Sequence, residues 1–380
     1  FFKQKTAYEM QRSLVGSDMC IRDRLCIAFL CAVVSMFLVP PDGGYADYVD
    51  YRVLALLFCL MLVVAGLQDC GLFDLLARRL LAGEKRFRFL ALVLVLLPFF
   101  SSMLITNDVS LITFVPFAVL VLELTGRQAQ LPYIVTLQTM AANLGSMAMP
   151  VGNPQNLFLC SRFGIPMGAF FVSVLPLTAV SLVCLVLAAG TTSGDIIRVD
   201  FKDAGGIGKP GQLRLMLLLF VLCLFSVFHV LPWPALLAVV IVAAALFARH
   251  LFPRVDYALL CTFVCFFVFS GNLGRIGAVR TFLTGLMDWN TVVTSALASQ
   301  VISNVPAAVL LSTFTEDWKG LLVGTNVGGL GTLIASLASL ISFKLYIRTE
   351  GAKPLRYLGI FTLANVIGLA VLGVVAWLLP

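Results

Sequence analysis

The sequence predicts an all-α polytopic membrane protein made of two inverted repeats, each with a re-entrant helical hairpin and a broken transmembrane helix. The composition, the long apolar runs and a twice-occurring series of motifs lead to this class. Of the 380 residues, 60% are hydrophobic and 12% are charged, whereas a soluble domain carries roughly 25% charged residues. The mean hydropathy is +1.02. No water-soluble fold buries this much apolar surface, which excludes a cytosolic enzyme, a secreted disulfide scaffold and a nucleic-acid-binding module.

The apolar runs predict the membrane helices, because a helix needs about 20 apolar residues to cross the hydrocarbon core. Such runs lie near residues 25–40, 53–67, 133–160, 166–190, 213–231, 234–252, 256–271, 320–346 and 357–379. Two further apolar regions, 88–123 and 291–315, are interrupted by the polar groups Thr106-Asn107-Asp108 and Ser303-Asn304-Val305-Pro306. We interpret each as a helical hairpin with its tip at the polar group.

Residues 1–24 differ from the rest of the chain. They are polar, with five Lys/Arg and three Asp/Glu, and contain no apolar core of a signal peptide. They resemble translated sequencing-adapter sequence. We expect an artefactual tail in place of the true N-terminus, without ordered contact to the helical core; a genuine cytoplasmic tail is the alternative.

An ordered series of motifs occurs in both halves. Val49-Asp50-Tyr51 recurs as Val255-Asp256-Tyr257, and each triplet precedes an apolar span and an amphipathic segment, 72–81 or 276–286. The interrupted regions follow, with Asn107 matching Asn304, and then Asn143-Leu144-Gly145 matching Asn326-Val327-Gly328. This order predicts a first repeat over 25–190 that lacks its first helix, a cytoplasmic linker over 191–212 and a second repeat over 213–380.

The basic residues predict the orientation. If both interrupted regions are hairpins that enter and leave on one face, 16 basic residues fall on one side of the membrane and five on the other. The five are Arg52, Arg162, Arg275, Arg280 and Lys319. The positive-inside rule assigns the richer side to the cytoplasm, and a full crossing by either region would destroy this segregation. The hairpins therefore enter from opposite faces, and we expect Asn107 and Asn304 to approach each other near the midplane.

The helix breaks are predicted to hold the chemistry. Two of the long spans contain glycine-rich interruptions, GSMAMPVGNPQN over 145–156 and GTNVGGLGT over 324–332. Backbone groups without helical partners cost several kcal/mol each in lipid, so these breaks must face protein, ions or a water-filled cavity. Free carbonyls and hydroxyls suit Na⁺, whereas helix N-termini and asparagine amides suit an anion. A proline or glycine kink without function is the alternative reading of each break.

Asp108 is the only acid at either tip. An ionisable residue inside the membrane is a functional hypothesis by default. Its carboxylate needs a neutralising cation or takes up a proton, and either event can couple a cation to transport. Val305, at the matching position, offers no carboxylate, which predicts two unequal cation sites. A structural acid hydrogen-bonded within the tip is the alternative.

Other chemistries have no support in the sequence. The ten cysteines lie almost entirely in apolar stretches without a C-x-x-C pair, and the chain has two histidines, His229 and His250. Packing explains such cysteines, so neither a zinc site nor a cysteine nucleophile is predicted. The glycine-rich segment 205–209 lacks the G-x-x-x-x-G-K-[ST] pattern of a phosphate loop. We therefore predict no catalytic residue and no cofactor.

The two hairpin and broken-helix pairs, SSMLITNDVSLITFVPF with NLGSMAMPVGNPQNLFL and QVISNVPAAVLL with GTNVGGLGTLIASL, resemble the ion transporter superfamily. That superfamily includes divalent anion/sodium symporters, citrate permeases, arsenite efflux permeases and sodium/proton antiporters. The resemblance covers residues 25–380 and is closest to citrate-transporter-like permeases. The dicarboxylate branch carries Ser-Asn-Thr at both tips, so the asparagines carry over here while Asp108 and Val305 depart from the pattern.

The resemblance implies one cation site at each tip with its broken helix, for Na⁺ or H⁺, and an anion held between the tips. For cation binding or coupling, it implies Thr106, Asn107, Asp108, Gly145, Gly152, Asn156, Ser303, Asn304, Asn326, Gly328 and Thr332. For the anion, it implies Asn107, Asn153, Pro154, Ser303, Asn304 and Thr325.

The functional prediction is an ion-coupled secondary transporter that moves a small carboxylate or inorganic oxyanion by alternating access. Efflux of arsenite, or of Na⁺ against H⁺, is the alternative, followed by a channel or a non-transporting receptor. The expected surroundings are the lipid bilayer of a bacterial inner or plasma membrane, crossed several times. The sequence is compatible with a homodimer but does not decide the oligomeric state, and no nucleic-acid partner is expected.

Overall fold

The computed structural model describes residues 15–81, 83–199 and 209–378. Within these ranges the chain is helical apart from one short pair of strands, which confirms the predicted all-α class. The α-helices are α1 Val15–Leu38, α2 Tyr51–Asp69, α3 Leu72–Leu81, α4 Phe87–Ser101, α5 Asn107–Leu124, α6 Leu131–Ser146, α7 Pro154–Phe163, α8 Met167–Gly190, α9 Pro210–Val227, α10 Trp233–Phe247, α11 Tyr257–Arg275, α12 Gly277–Trp289, α13 Thr291–Ile302, α14 Asn304–Leu311, α15 Trp318–Val327, α16 Leu337–Ile347 and α17 Pro354–Leu378. The strands are β1 Gly83–Arg86 and β2 Ile196–Val199.

The long apolar helices fit a chain that crosses a membrane several times. Among the described residues, six helices (α2, α5, α8, α9, α11 and α17) are long and apolar enough to span a bilayer. Large apolar side chains on the outer helices are exposed, including Val172 (73%), Leu187 (66%) and Trp377 (82%). Water would penalise such surfaces and lipid does not, so the protein is a multi-pass membrane protein.

The repeated Asp-Tyr motif begins two matching helices. The Asp50 carboxylate accepts a hydrogen bond from the Val53 amide at 3.0 Å, and the Asp256 carboxylate accepts one from the Leu259 amide at 2.9 Å. Both aspartates therefore cap a 19-residue helix, α2 or α11. After each cap the same order follows: an amphipathic helix (α3 or α12), a hairpin, a broken helix and a long helix. The inverted relation of the two series stays a prediction.

Each interrupted apolar region forms two helices joined at the predicted polar group. In the first hairpin, α4 and α5 are joined by residues 102–106, and α5 begins at Asn107. In the second, Ser303 alone separates α13 from α14. Ser303 has a φ of +74°. Such a backbone conformation in a non-glycine residue costs about 1–3 kcal/mol, and it persists only where the surrounding structure imposes it.

The two long spans are broken, and the limits of the breaks differ from the prediction. The first broken span becomes helical again at Pro154. Proline is favoured at the first position of a helix, because the N–H group that it lacks would have no helical partner there. The second break was predicted over 324–332, but α15 continues through Thr325 to Val327 and the unwound segment extends to Ser336. The helix ends later because the glycines at 328, 329 and 331, the last with a φ of +110°, follow Val327.

Two further boundaries need correction. The span predicted over 234–252 ends at Phe247, and the stretch Arg249–Arg254 forms a 3₁₀ helix. Two of its basic side chains turn towards Asp69, which accepts from His250 and pairs with Arg254 at 2.8 Å, whereas Arg249 donates to the Ala245 carbonyl. The predicted linker 191–212 contains β2 and the first turn of α9, which begins at Pro210.

The contacts of the basic segments gather them at one end of the molecule. β1, within the segment that carries Lys85, pairs antiparallel with β2 of the linker. The Arg127 guanidinium bonds to Asp195 and holds the pKa of that carboxyl below its usual range. The sequence did not predict these strands, but the pairing agrees with the assignment of both segments to one membrane face. Residues 200–208, which include most of the glycine-rich segment 205–209, lie outside the described residues.

The predicted tail, residues 1–24, lies largely outside the residues that the structure describes. Residues 1–14 are not described, and the side chains of 15–24 are not described either. The backbone of α1 begins at Val15, ten residues before the predicted span. The expected lack of ordered contact between the tail and the core stays a prediction.

Gly145 lets α4 and α6 approach closely, and a side chain there will disturb them. A Cβ atom at Gly145 would lie 2.1 Å from the carbonyl oxygen of Phe99, which is backbone and cannot rotate away. We expect Gly145→Ala to lower the free energy of unfolding by about 1–3 kcal/mol, although alanine favours helices. Thermal unfolding in detergent measures this change. Gly168→Ala is the control, because nothing lies within 4 Å of its added Cβ; equal melting temperatures for both variants would contradict the prediction.

Candidate functional site

Asn143, on α6, is a hydrogen-bonding centre between the two halves of the chain. Its side-chain oxygen accepts from Asn107 Nδ2 at 2.9 Å and from Ser336 Oγ at 2.9 Å. Its side-chain nitrogen donates to Ser339 Oγ at 3.4 Å. Asn143 therefore joins the first hairpin tip to the second broken helix. All four side chains are buried.

A second group of three asparagines joins the two broken helices. Asn153 Nδ2 donates to Asn326 Oδ1 at 3.1 Å, and Asn326 Nδ2 donates to Asn156 Oδ1 at 2.7 Å. The backbone amide of Asn156 in turn donates to Asn153 Oδ1 at 2.9 Å. Asn153 thereby caps α7. The sequence predicted all three residues for the site, and the structure brings them into one contact group, here called the asparagine ring.

The two hairpin tips dock on the unwound segments in the same way. The Asn107 backbone amide donates to the Gly152 carbonyl at 3.3 Å, and the Asn304 amide donates to the Ala335 carbonyl at 2.9 Å. Each asparagine side-chain oxygen also accepts from the next backbone amide, that of Asp108 at 3.0 Å or of Val305 at 2.9 Å. The matched positions of the sequence thus have matched contacts.

Both tips reach the surroundings of Asn143. Asn304 Nδ2 lies 3.0 Å from the position of a Cβ atom at Gly329, and the Gly329 carbonyl is 3.5 Å from Asn143 Nδ2, at the long limit of a hydrogen bond. Asn143 contacts Asn107 of the other tip. This arrangement is what the expected approach of the tips requires, and the separation of Asn107 and Asn304 itself stays a prediction.

Four helix N-termini lie in this region. α5 and α14 begin at the tips, and α7 and α16 begin at the ends of the unwound segments. A helix N-terminus carries a partial positive charge of roughly half an elementary charge. Asp108 lies half-buried in the first turn of α5. The region therefore combines amide and hydroxyl donors, positive helix ends and one acid.

Side-chain carboxamide groups donate hydrogen bonds to backbone carbonyls of both unwound segments. Asn156 Nδ2 donates to the carbonyls of Met147 at 3.2 Å and Met149 at 3.3 Å. Gln300 Nε2 donates to the carbonyls of Gly328 at 2.8 Å and Leu330 at 2.9 Å. These carbonyls are the type of ligand predicted for a cation, and here an uncharged NH₂ group meets them.

The other predicted residues have mainly local contacts. Thr325 Oγ donates within its own helix to the Leu321 carbonyl at 2.7 Å, and Thr332 Oγ donates to the Gln300 carbonyl at 3.0 Å. Thr106 caps α5 without a side-chain bond to it, and Pro154 fills the first position of α7. The hydroxyl groups of Thr325 and Thr332 therefore donate to backbone carbonyls and not to the asparagine ring.

Two further predicted residues have their own contacts. Ser303 Oγ donates to the Ala335 carbonyl at 3.3 Å. Gly328 lies against α13, because an added Cβ there would meet the Ala296 Cα at 2.8 Å.

Asn143 and Gln300 are not among the predicted site residues. The sequence presents Asn143 as one half of a repeated motif, and only its partner Asn326 is a predicted site residue. Gln300 lies three residues before the second tip, so its reach to an unwound segment depends on the face of α13 that it occupies. One signal was present for α16: serines 336, 339 and 342 recur at helical spacing in an apolar segment.

Comparison with known proteins identifies the family. The citrate transporter family matches residues 17–317. Uncharacterized transporter MJ0456 of Methanocaldococcus jannaschii is 32% identical over 78% of this chain and 81% of its own. Inner membrane protein YbiR of Escherichia coli is 31% identical over 84% of this chain and 86% of its own. Silicon efflux transporter LSI3 of Oryza sativa subsp. japonica is 32% identical over 38% of this chain and 29% of its own. The chain therefore belongs to the citrate transporter family of the ion transporter superfamily and is a secondary transporter, not an enzyme.

Proposed function

We propose that the protein moves a small carboxylate or inorganic oxyanion together with Na⁺ or H⁺ by alternating access. The observation that carries this proposal is the buried meeting point of Asn107, Asn143 and the asparagine ring with four helix N-termini. Amide donors and positive helix ends recognise an anion, and two matched tips suit a site that opens to either face.

The site is polar but carries few full charges, which supports cation coupling. Asn107, Asn143 and Asn304 are 5–6% exposed, so an anion bound among them leaves most of its water. Burying an unneutralised charge is costly, and amide dipoles compensate it only in part. A cation that enters with the anion lowers this cost, so each ion favours the binding of the other.

We assign the coupling role to Asp108. It lies beside Asn107 at a tip, and its carboxyl group can hold either Na⁺ or a proton. The amides of Asn156 and Gln300 already donate to carbonyls of the unwound segments. Because these carbonyls already accept hydrogen bonds, binding of the coupling cation at Asp108 is favoured over two equal cation sites built from backbone carbonyls.

Efflux is the second candidate. One relative is called a silicon efflux transporter, and the similarity to it covers 146 residues. An exporter with this fold would move an oxyanion or a weak acid outwards, with a cation moving inwards.

Gradient-driven transport in proteoliposomes tests the proposal. The substrates are citrate, succinate, sulfate, phosphate, arsenite and silicic acid, each with and without gradients of Na⁺ and pH. Accumulation above the external concentration that requires a cation gradient supports coupled anion uptake, and accumulation under the reversed gradient supports efflux. Equilibration without accumulation indicates a channel, and binding without flux a receptor; either result contradicts the proposal.

Gln300→Met will slow transport and destabilise the protein, because the Gln300 carboxamide holds the second unwound segment. Its NH₂ group donates to the carbonyls of Gly328 and Leu330, and its oxygen accepts from the Thr332 amide at 2.9 Å. Methionine keeps the length and removes these bonds. Each buried polar group left unpaired costs about 1–3 kcal/mol.

The initial rate of uptake and the melting temperature measure the effect of Gln300→Met. We expect at least a tenfold lower rate per folded protein. Gln128→Met, in the 3₁₀ turn Gln128–Gln130 that contains no buried residue, is the control. A wild-type rate for Gln300→Met would show that this segment needs no such support.

A further inference from the structure

A separate cavity lies at the end of the molecule that the charge distribution assigns to the outside. Its volume is about 460 Å³. Its walls come from the residues before α2, the ends of α7, α11 and α14, and α12. Arg162 and Arg280 both line it. We call this cavity the outer vestibule.

The two arginines of the outer vestibule are available to a ligand. Both are exposed, and among the residues that the structure describes neither guanidinium group forms an ion pair or a hydrogen bond. Arg275, nearby on α11, differs because it pairs with Asp42 at 2.7 Å. The arginines are therefore not used to neutralise neighbouring acids, although acids line the same cavity.

The acids of the outer vestibule are Asp47 and Asp50. Both oxygens of Asp50 have partners, because one accepts from the Val53 amide at 3.0 Å and the other from Ser161 Oγ at 3.2 Å. The cap at a helix N-terminus also offsets part of this charge. Asp47 is exposed to solvent. The cavity thus holds two guanidinium groups without side-chain partners and two carboxylates, of which Asp50 is engaged by hydrogen bonds from neutral donors.

Two short helices connect the outer vestibule with the asparagine ring. α7 begins beside Asn153 of the ring and has Arg162 in its last turn, which places the two about 12–15 Å apart along the helix. α14 begins at Asn304, packs against α7 and is followed by Thr313 on the vestibule wall. The vestibule therefore lies outward of the central region, along the same pair of helices.

We propose that the outer vestibule is a second anion-binding site, in which Arg162 and Arg280 hold a carboxylate or oxyanion before it reaches the central site. Guanidinium groups match the geometry of these anions. Because both are exposed, the site is weak and salt-sensitive and raises the rate of capture. The anionic ligand and its onward movement rest on the proposed function; the anion preference of the vestibule does not.

Charged thiol reagents test the anion preference without any transport. Thr313→Cys places a thiol on the vestibule wall, which reacts with a sulfonate-bearing or a trimethylammonium-bearing methanethiosulfonate to form a disulfide and release sulfinate. The parent chain, with its ten natural cysteines, gives the background. We expect Arg162→Gln with Arg280→Gln to slow the sulfonate reagent at least fivefold and not the cationic one, and 10 mM citrate to protect the thiol only with the arginines present.

Lys319→Gln is the matched control, because Lys319 is assigned to the same face but does not line the outer vestibule. It should leave both labelling rates unchanged, and Arg162→Lys with Arg280→Lys should restore most of the sulfonate rate. The proposal would be overturned if Lys319→Gln slowed labelling by the sulfonate reagent equally, or if that labelling rate did not depend on the two arginines.

Uptake separates this proposal from the proposed function. With a transported anion, the double glutamine variant should raise KM at least threefold at low salt and leave kcat unchanged. Arginine-dependent labelling without any coupled transport would refute the proposed function and leave the vestibule site standing. Coupled transport with unchanged KM and charge-independent labelling would refute the vestibule site alone.

Discussion

Replacing Asp108 by asparagine will abolish the dependence of transport on Na⁺ or on pH, whichever the wild type shows. Asparagine keeps the shape of the side chain in the first turn of α5 but can neither neutralise a cation nor bind a proton. Without the coupled cation the bound anion loses its counter-charge, so accumulation should fall at least a hundredfold. Uptake in proteoliposomes under imposed Na⁺ and pH gradients measures the effect.

Two variants show whether the Asp108→Asn effect is specific. Glu123→Gln removes an acid from the same helix at its opposite end and should keep the wild-type coupling. Val305→Ala, at the matching position of the second tip, should change the coupling little, because valine contributes no charge. Accumulation by Asp108→Asn with wild-type cation dependence would make Asp108 a structural acid and refute its assignment.

Replacing Asn143 by leucine will strongly slow transport while the protein still inserts into the membrane. Leucine has a similar volume, but Asn107 Nδ2 and Ser336 Oγ both lose the oxygen they bond at 2.9 Å. Unpaired buried groups cost about 1–3 kcal/mol each, and every 1.4 kcal/mol is a factor of ten. We expect uptake per folded protein to fall at least thirtyfold, measured together with anion binding in detergent.

Asn272→Leu is the control for Asn143→Leu. Asn272 is as deeply buried, and its Nδ2 donates to Ser35 Oγ at 2.9 Å, which links α11 to α1. It has no bond to the asparagine ring. Asn272→Leu should lower the melting temperature yet keep the uptake rate of the folded fraction. Equal losses of uptake in both variants would mean that Asn143 acts only through stability.

The local features of the fold could be predicted from the sequence. Asp50 and Asp256 cap matched helices, and Asn107 and Asn304 begin the second arms of the hairpins, because caps and helix starts depend on neighbouring residues. Apart from the helix boundaries corrected above, the features that could not be predicted depend on contacts between distant segments. The pairing of β1 with β2 joins segments more than a hundred residues apart, and four polar residues carry no strand pattern.

The same distinction separates the predicted from the overlooked parts of the site. Asn153 and Asn156 lie within a recognisable motif, whereas the role of Asn143 depends on its contact with Ser336, almost two hundred residues later. The reach of Gln300 and the facing of Arg162 and Arg280 follow from the packing of several helices, which no spacing in the sequence encodes.

The asparagine ring has a consequence for the speed and the tightness of the transporter. It fastens the two broken helices with neutral hydrogen bonds, Asn153 to Asn326 and Asn326 to Asn156. Each such bond stabilises the contact between the two broken helices by about 0.5–1.5 kcal/mol net. Under the proposed alternating access, bonds of this strength hold the two broken helices together, and thermal motion can still break them between transport steps. Because carboxamides do not titrate, a change of pH does not break these bonds, and the proposed function assigns the response to the ion gradients to Asp108.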